Sequence, residues 1–386
     1  MMNVFKHLKG DRIVWIIMLL FSLMSVLVVY SAVLNLVHYN GNQKTSPVGY
    51  LLKHTGILAA GMGLTFLAHR VKYTFYAKLA PLGFLMSIPL LLFTLFKGVR
   101  AGEASRWIGI PGTSLTFQTS DFAKIMLVLF LARILAVEFG NWERFSDVLK
   151  KLLLPVVAIC GLIFPANFST AAVLFVNAMF LIFMGGVPMR HLFKLAGIAI
   201  VAAVVLGFWI WIAPSTIPGN RGPTWKSRIE HFSDGASEHN YQSEQSKMAI
   251  ANGGMFGKGP GNSTQRAFLP QASSDFIFAI VLEEYGFLSG VLLLFLYLIL
   301  LYRSVRMVRQ KDKPFAGFIA LGLSFSLVFQ ALINMGVAVD LFPVTGQPLP
   351  LISMGGTSIL FTMASLGILL SVSHTLQQNA QDVKPE

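Results

Sequence analysis

The sequence predicts an all-α, polytopic membrane protein: ten transmembrane helices, with a large extracytoplasmic loop between the seventh and the eighth. Three observations carry this. Hydrophobic residues make up 55% of the chain and charged residues 12%, and the mean hydropathy is +0.67; a soluble domain carries roughly 25% charged residues. Apolar runs of about 20 residues, the length that crosses a hydrocarbon layer, recur along the whole chain. Basic residues gather in alternate connections between those runs. No stretch is left for a large soluble domain, so residues 1–386 read as one transmembrane domain with an outer loop at 214–274.

The elements follow in order. Met1 to Arg12 lead straight into the first run, 13–37, which is too long for a signal-peptide core and has no A-x-A-like site after it, so it reads as a retained span. Further runs fall near 50–68, 74–97, 120–138, 150–164, 168–186, 190–213, 275–302, 315–338 and 350–374. The fifth is short, and a tight GGVPMR turn separates the sixth from the seventh. With the N-terminus inside, the inner segments hold Lys6, Lys9 and Arg12; Arg70, Lys72 and Lys78; Arg144, Lys150 and Lys151; Arg190 and Lys194; and Arg303, Arg306, Arg309, Lys311 and Lys313. The short outer loops 38–49, 164–168 and 339–349 hold only Lys44. Bias of this kind in short loops sets orientation, and ten spans then place both termini in the cytoplasm. It also accounts for the net charge of +13 without a nucleic-acid partner. The single cysteine, Cys160, excludes an internal disulfide framework and a Cys-based metal cluster. The histidines are scattered without ligand spacing.

All the distinctive polar blocks (98–124, 214–275, 339–358) fall on the outer side, so recognition or chemistry is expected at the outer membrane–water boundary. The first contains GEASRWIGIPGTSLTFQTSDFAK. Arg106 beside Trp107 puts a phosphate-binding guanidinium next to an interfacial aromatic. Ser120 reads as an N-cap of the fourth span, and Asp121 and Lys124 share one helix face. Charges at the mouth of a span are costly unless paired or used, so this pair is either a structural ion pair or part of a site. The second block holds TWKSRIEHF and YQSEQSKMAIANGGMFGKGPGNSTQ. Residues 249–255 read as the end of a short amphipathic helix, and the glycine-rich loop around Lys258 is either a phosphate-holding backbone nest or a plain flexible loop. The third, FLPQASSDFIFAIVLEEYG, sets Asp275 at the outer start of the eighth span, as a reactive carboxylate or a plain N-cap. Glu283 and Glu284 follow about 12–13 Å further along a straight helix, too deep for the same chemistry, and read as structural or coupling residues. Gly286 and Gly290 form a small-xxx-small packing pair. The fourth, VTGQPLPLISMGGTS, is a Pro- and Gly-rich segment that either lines a cavity or makes a rigid turn.

With these blocks in hand, the chain resembles the SEDS family (shape, elongation, division and sporulation), whose best-known members are FtsW and RodA. The resemblance covers nearly the whole chain. It rests on SRWI with QTSDFAK, YQSEQSKMAIANGGMFGKGPGNS, FLPQASSDFIFAIVLEEYG and INMGVAVDLFPVTGQPLPLISMGGTS, in order. The division branch, FtsW, looks closer than the elongation branch, RodA. The resemblance implies a peptidoglycan glycosyltransferase that polymerises lipid II into septal glycan strands in the inner membrane. It also implies a class B penicillin-binding protein (a transpeptidase) and other division proteins as partners. Asp275 matches the family's catalytic acid, and Asp121 and Lys124 match its charged pair at the fourth span. Some positions depart from the family pattern. Ser273–Ser274–Asp275 stands for H-T-D, Thr119–Ser120–Asp121 for P-S-E, Asn167 stands where an acid is common, and Met354 replaces a Tyr.

Joining two lipid-linked sugars requires a base for the acceptor hydroxyl and positive charge around the departing pyrophosphate. Asp275 is the candidate base. Desolvation at that position favours its neutral form, and a helix N-terminus favours its ionised form. Arg106, Asp121, Lys124, Arg228, Gln242, Ser246, Lys258, Gln265 and Ser353 make up the candidate substrate-binding set, with a divalent cation (magnesium or manganese) as a candidate assistant. Two other readings stand beside this one. A lipid II flippase or proton-coupled carrier would suit the intramembrane acids, but a carrier is expected to show matched broken helices in both halves, and the sequence has no such pairing. The other is a non-catalytic scaffold for division proteins.

Overall fold

A computed structural model describes residues 9–39, 47–101, 104–109, 116–213, 222–223, 226, 238–269, 271–308 and 314–382. The chain divides into two compact units of interleaved sequence.

One unit spans residues 72–234 and 307–326. Of the helices in chain order, α1 Arg12–Tyr39 and α2 Pro47–Ala68 belong to the other unit, and α3 Tyr73–Lys97 begins this one. After α3 come three short strands, β1 Val99–Ala101, β2 Ala104–Gly109 and β3 Thr116–Gln118, paired antiparallel in the order β1-β2-β3. Trp107 faces Gln118 across the β2–β3 ladder. This sheet lies within the outer polar block 98–124. It corrects the N-cap assigned to Ser120. β3 runs straight into α4 Thr119–Val137, so the capping position falls on Gln118, in extended conformation and without a side-chain cap bond. Ser120 lies inside the helix and its hydroxyl accepts from the Gln118 amide.

The next helical segment starts with Phe145–Asp147, widens into a π-helix over Val148–Leu153 and continues as α5 Leu154–Ile163. Pro155 explains the widening. Proline has no N–H and cannot bond the carbonyl four residues back, and here Leu154 bonds Leu149, five back. α6 Phe168–Met184 is capped by Asn167, whose Oδ1 accepts from the Thr170 N–H at 3.2 Å. α7 Met189–Ile212 is apolar all round and largely exposed, as a lipid-facing helix is. α3 and α4 meet where Gly83 makes room for Met126.

The other unit holds residues 1–71, 235–306 and 327–386. After α1 and α2 it contains α8 Glu238–Gly253, α9 Ile277–Val308 and α11 Gly356–Asp382; α10 Pro314–Ala338 supplies residues to both units, dividing after Ser326. α2 and α11 pack through small residues: a Cβ on Gly61 or Gly367 would strike Met363 or the Thr65 backbone. Several hydroxyls inside the apolar helices are satisfied locally. Ser304, Thr362 and Ser365, for example, bond the carbonyl one turn back.

Each expected apolar run contains helical residues. Among the described residues, seven helices are long and apolar enough to cross a membrane, and the apolar α6 is shorter. α4 carries Asp121, Lys124 and Arg133.

The eighth span differs most from expectation. α9 is two helices joined at Gly286, whose φ of 78° and ψ of 175° are not helical. A Cβ on Gly290 would strike Leu282 and Phe278, contacts that a straight helix forbids. The chain therefore turns back at Gly286, and the run from Ile277 to Tyr285 is a separate buried half-helix. Its rise does not measure depth along the span, which removes the basis for calling the two glutamates deep. Gly286 makes the reversal, and Gly290 lets the second helix pack closely on the half-helix.

Candidate functional site

Asp275 is buried, 7% exposed, in the turn before the half-helix. Its Oδ1 accepts from the Ser274 hydroxyl at 2.9 Å. Its main-chain carbonyl accepts from the Asn334 amide at 2.8 Å, and the same amide bonds the carbonyl of Gln347 at 2.8 Å. The Asn334 oxygen is buried and has no partner among the described residues.

The segment 344–354 packs against this turn. Gly346, at φ 65°, lies over the carboxylate: a Cβ there would sit 3.6 Å from Asp275 Oδ2. Ser353 accepts from the Leu349 N–H at 2.7 Å and donates to the Ser274 carbonyl at 2.6 Å, while the Met354 N–H bonds Ser273. Further hooks come from three helices: Ser25 of α1 to Ile352, Tyr297 of α9 to Pro350 and Gln330 of α10 to Pro348. Ser25 is itself 2.8 Å from His54 Nε2. Among the described residues, three non-glycine residues have positive φ: Gln271 and Leu351, in the two segments that pack together here, and Asp340 just after α10. Such residues cost about 1–3 kcal/mol each and persist where surrounding bonds enforce them. This turn is therefore a rigid mount for one carboxylate.

The glycine-rich loop is bound to the reversal in α9. The N–H groups of Lys258 and Gly259 bond the carbonyls of Glu283 and Glu284, and Phe287 bonds Gly254. Gly253, Gly257 and Gly286 lie so close to opposing backbone that any Cβ would collide. Glu283, fully buried, accepts from Lys258 Nζ at 3.0 Å, from the hydroxyls of Ser263 and Thr264, and from the N–H groups of Thr264 and Gln265. Glu284 accepts from Ser31 of α1, whose hydroxyl also meets Arg266 at 3.0 Å. The two acids thus anchor the loop 258–266.

The remaining candidates are placed as follows. Lys258 gives its ammonium to Glu283 and Thr264, and the buried side-chain oxygen of Gln265 has no partner among the described residues. Ser246 is buried and donates to the Ala338 carbonyl at the end of α10. Gln242 is half-buried one turn earlier. Nearby, Ser243 and Lys247 bind Asp340, the ammonium at 2.7 Å. Burial alone pushes the Asp340 carboxyl up, but the hydrogen bonds from Lys247 and Ser243 and the ammonium charge hold it below its ordinary value. Arg228 lies outside the described residues.

In the other unit, Asp121 and Lys124 pair at 2.7 Å, and Asp121 Oδ2 is buried with no partner among the described residues. Arg106 bonds the Ala166 carbonyl at 3.1 Å and lines a cavity of about 20 Å³ with Ser120 and Asn167, room for about one water. Asn167 is engaged in capping α6, which agrees with an amide where an acid is common. Asn334, Gly346, Ser31 and Arg266 were not singled out by sequence reasoning. All but Ser31 fall within or beside the quoted motifs, but nothing in the residue types says which of them face Asp275 or the glutamates.

The fold and this site define a class: a polytopic α-helical membrane protein with a buried, rigidly mounted carboxylate. The family model of the FtsW/RodA/SpoVE cell cycle proteins matches residues 11–378, and the chain belongs to that family. Stage V sporulation protein E of Bacillus subtilis is 31% identical, over 95% of this chain and 98% of its own. The probable peptidoglycan glycosyltransferase FtsW of Halomonas elongata is 30% identical, over 88% of this chain and 85% of its own. Among solved structures, the rod shape determining protein RodA of Thermus thermophilus is 25% identical and superposes with a TM-score of 0.67, covering 95% of this chain and 97% of that one. A chain from a study of polymerization and crosslinking by a peptidoglycan synthase complex shares the fold, with a TM-score of 0.74 at 24% identity, covering 96% of this chain and 99% of that one.

Proposed function

We propose that this protein is a peptidoglycan glycosyltransferase that polymerises lipid II, with Asp275 as the general base. The observation that carries the role of Asp275 is its mounting: a buried carboxylate in a turn held by Asn334 and Ser353, whose side chain accepts from the Ser274 hydroxyl and lies beside Gly346. Membership of a family that includes named glycosyltransferases supports the reaction. The acceptor hydroxyl passes its proton to Asp275 as its oxygen bonds the donor's anomeric carbon. The bond from that carbon to the pyrophosphate oxygen breaks, and the lipid pyrophosphate leaves with the electron pair. Displacement in one step inverts the anomeric centre. Arg106 and Lys124 are the candidate partners for phosphate or sugar, with Asp121 orienting Lys124.

A divalent cation is best placed on the substrate. Magnesium is held by one or two carboxylates plus phosphate oxygens, and among the described residues no three His, Cys, Asp or Glu side chains converge. A class B penicillin-binding protein is the proposed partner, in keeping with the synthase-complex likeness. The proposed setting is the division septum of the inner membrane, with ten spans and both termini in the cytoplasm.

The decisive experiment is polymerisation of labelled lipid II by the purified complex with transpeptidation blocked. Loss of polymer in Asp275→Asn, with the wild-type thermal midpoint kept, is the expected result. Undiminished polymer from that variant overturns the base assignment. Lipid translocation without polymer overturns the enzymatic reading in favour of a flippase.

A further inference from the structure

Arg133 has no part in that chemistry. It lies on α4, about 14 Å along the helix from Lys124, half-buried in a segment of a membrane protein where a charge is expensive unless used. A guanidinium offers five N–H donors. Among the described residues this one makes a single hydrogen bond, from Nη1 to the Ala77 carbonyl at 2.7 Å. It borders a cavity of about 400 Å³, lined also by Phe130, Glu138, Lys150 and Lys151, a size that suits a ligand.

The two lysines come from the π-helical stretch Val148–Leu153. A π-helix has more residues per turn, so neighbouring side chains diverge less around the axis, and such bulges frequently mark functional sites. Lys151 pairs with Glu138 at 2.5 Å, whereas Lys150 is exposed and makes no ion pair among the described residues. The lining therefore carries two positive charges in excess. Around it stand exposed apolar side chains: Val137, Leu154 and Val157, at 74, 64 and 51% exposure. A free inorganic anion has no use for that rim, but acyl chains do.

We propose that this cavity binds the phosphodiester headgroup of an anionic phospholipid, with Arg133 and Lys150 on the phosphate and the acyl chains along Val137, Leu154 and Val157. Basic recesses between membrane helices suit such headgroups, and guanidinium meets phosphate in a fork geometry. The loop basicity puts this cavity at the inner leaflet. The proposal is independent of Asp275 and of the polymerisation reading.

Native mass spectrometry of the delipidated full-length protein tests it, with phosphatidylglycerol and phosphatidylcholine of matched acyl chains and inorganic phosphate as competitor. Phosphatidylglycerol is expected to be retained over phosphatidylcholine, and Lys150→Gln to weaken that retention about fivefold at an unchanged thermal midpoint. Arg133→Gln is expected to weaken it further. If Arg133→Gln misfolds, the exposed Lys150 decides the matter alone. Equal retention of the two lipids, or a preference that Lys150→Gln leaves intact, overturns the proposal. Displacement of the lipid by inorganic phosphate overturns it in favour of a free-phosphate site.

Discussion

Asp275 depends on residues that never touch its carboxylate. Asn334 holds its carbonyl and Ser353 holds that of Ser274, so the side chain starts from a fixed backbone. Removing a buried hydrogen-bonding partner costs about 1–3 kcal/mol. Asn334→Ala is therefore expected to lower polymerisation and the thermal midpoint together, whereas Asp275→Asn lowers polymerisation alone; parallel rate and melting measurements separate the two. Gly346 makes a sharper test. A Cβ there would only touch Asp275 Oδ2, but φ of 65° is unfavourable for any other L-residue. Gly346→Ala is expected to destabilise by about 1 kcal/mol and to slow polymerisation more than that loss explains, because the strain is released at the carboxylate. The acid and its neighbours were legible in the sequence as a motif. The hooks were not, because a hydrogen bond to a main-chain carbonyl leaves no mark on the residue that supplies the carbonyl.

At the scale of elements, the reversal at Gly286 and the loop it carries behave as one piece. Glu283 is fully buried and bound by an ammonium, two hydroxyls and two N–H groups. Breaking a buried charged pair costs about 3–5 kcal/mol, so Glu283→Ala is expected to lower the thermal midpoint strongly and to increase hydrogen exchange at 258–266. A midpoint close to wild type would show that the loop is not anchored there. The tie between α8 and the end of α10 carries a pH dependence. Asp340 titrates below its ordinary value of 3.8, so its contribution is fully present above 3.8 and is lost as pH falls through the lower folded value. Lys247 is held above 10.5 by its hydrogen bond to Asp340, against the small effect of burial; its contribution is present below 10.5 and is lost as pH rises through the higher folded value. The midpoint difference between wild type and Asp340→Asn is thus expected to be level from pH 5 to 9 on the logic of linkage, roughly flat between the two titrations, and to shrink under more acid conditions. Asparagine tolerates the positive φ, so this substitution isolates the charge.

For the whole molecule, the orientation rests on loop basicity and is open to labelling. With Cys160 replaced by alanine, a cysteine at the exposed position Gln271 is expected to react with an impermeant maleimide in intact cells, and one at Arg144 only after lysis. The reverse pattern would invert the topology and with it the leaflet assigned to the basic cavity.

Hydropathy and charge by themselves determined the class of protein and the apolar runs in which its long helices lie, because crossing hydrocarbon demands long apolar runs whatever the packing. The motifs determined the family and pointed to Asp275. Only the tertiary structure decided that the polar segment at 98–119 holds a sheet, that Ser120 lies inside a helix, and that the eighth apolar run is a half-helix turned back on a span. It also decided that Glu283 and Glu284 anchor a glycine-rich loop. The physical reason is the same in each case. A chain reversal inside an apolar run needs one residue at positive φ and opposing backbone close enough to bond, and such contacts join residues far apart in sequence that no local periodicity connects.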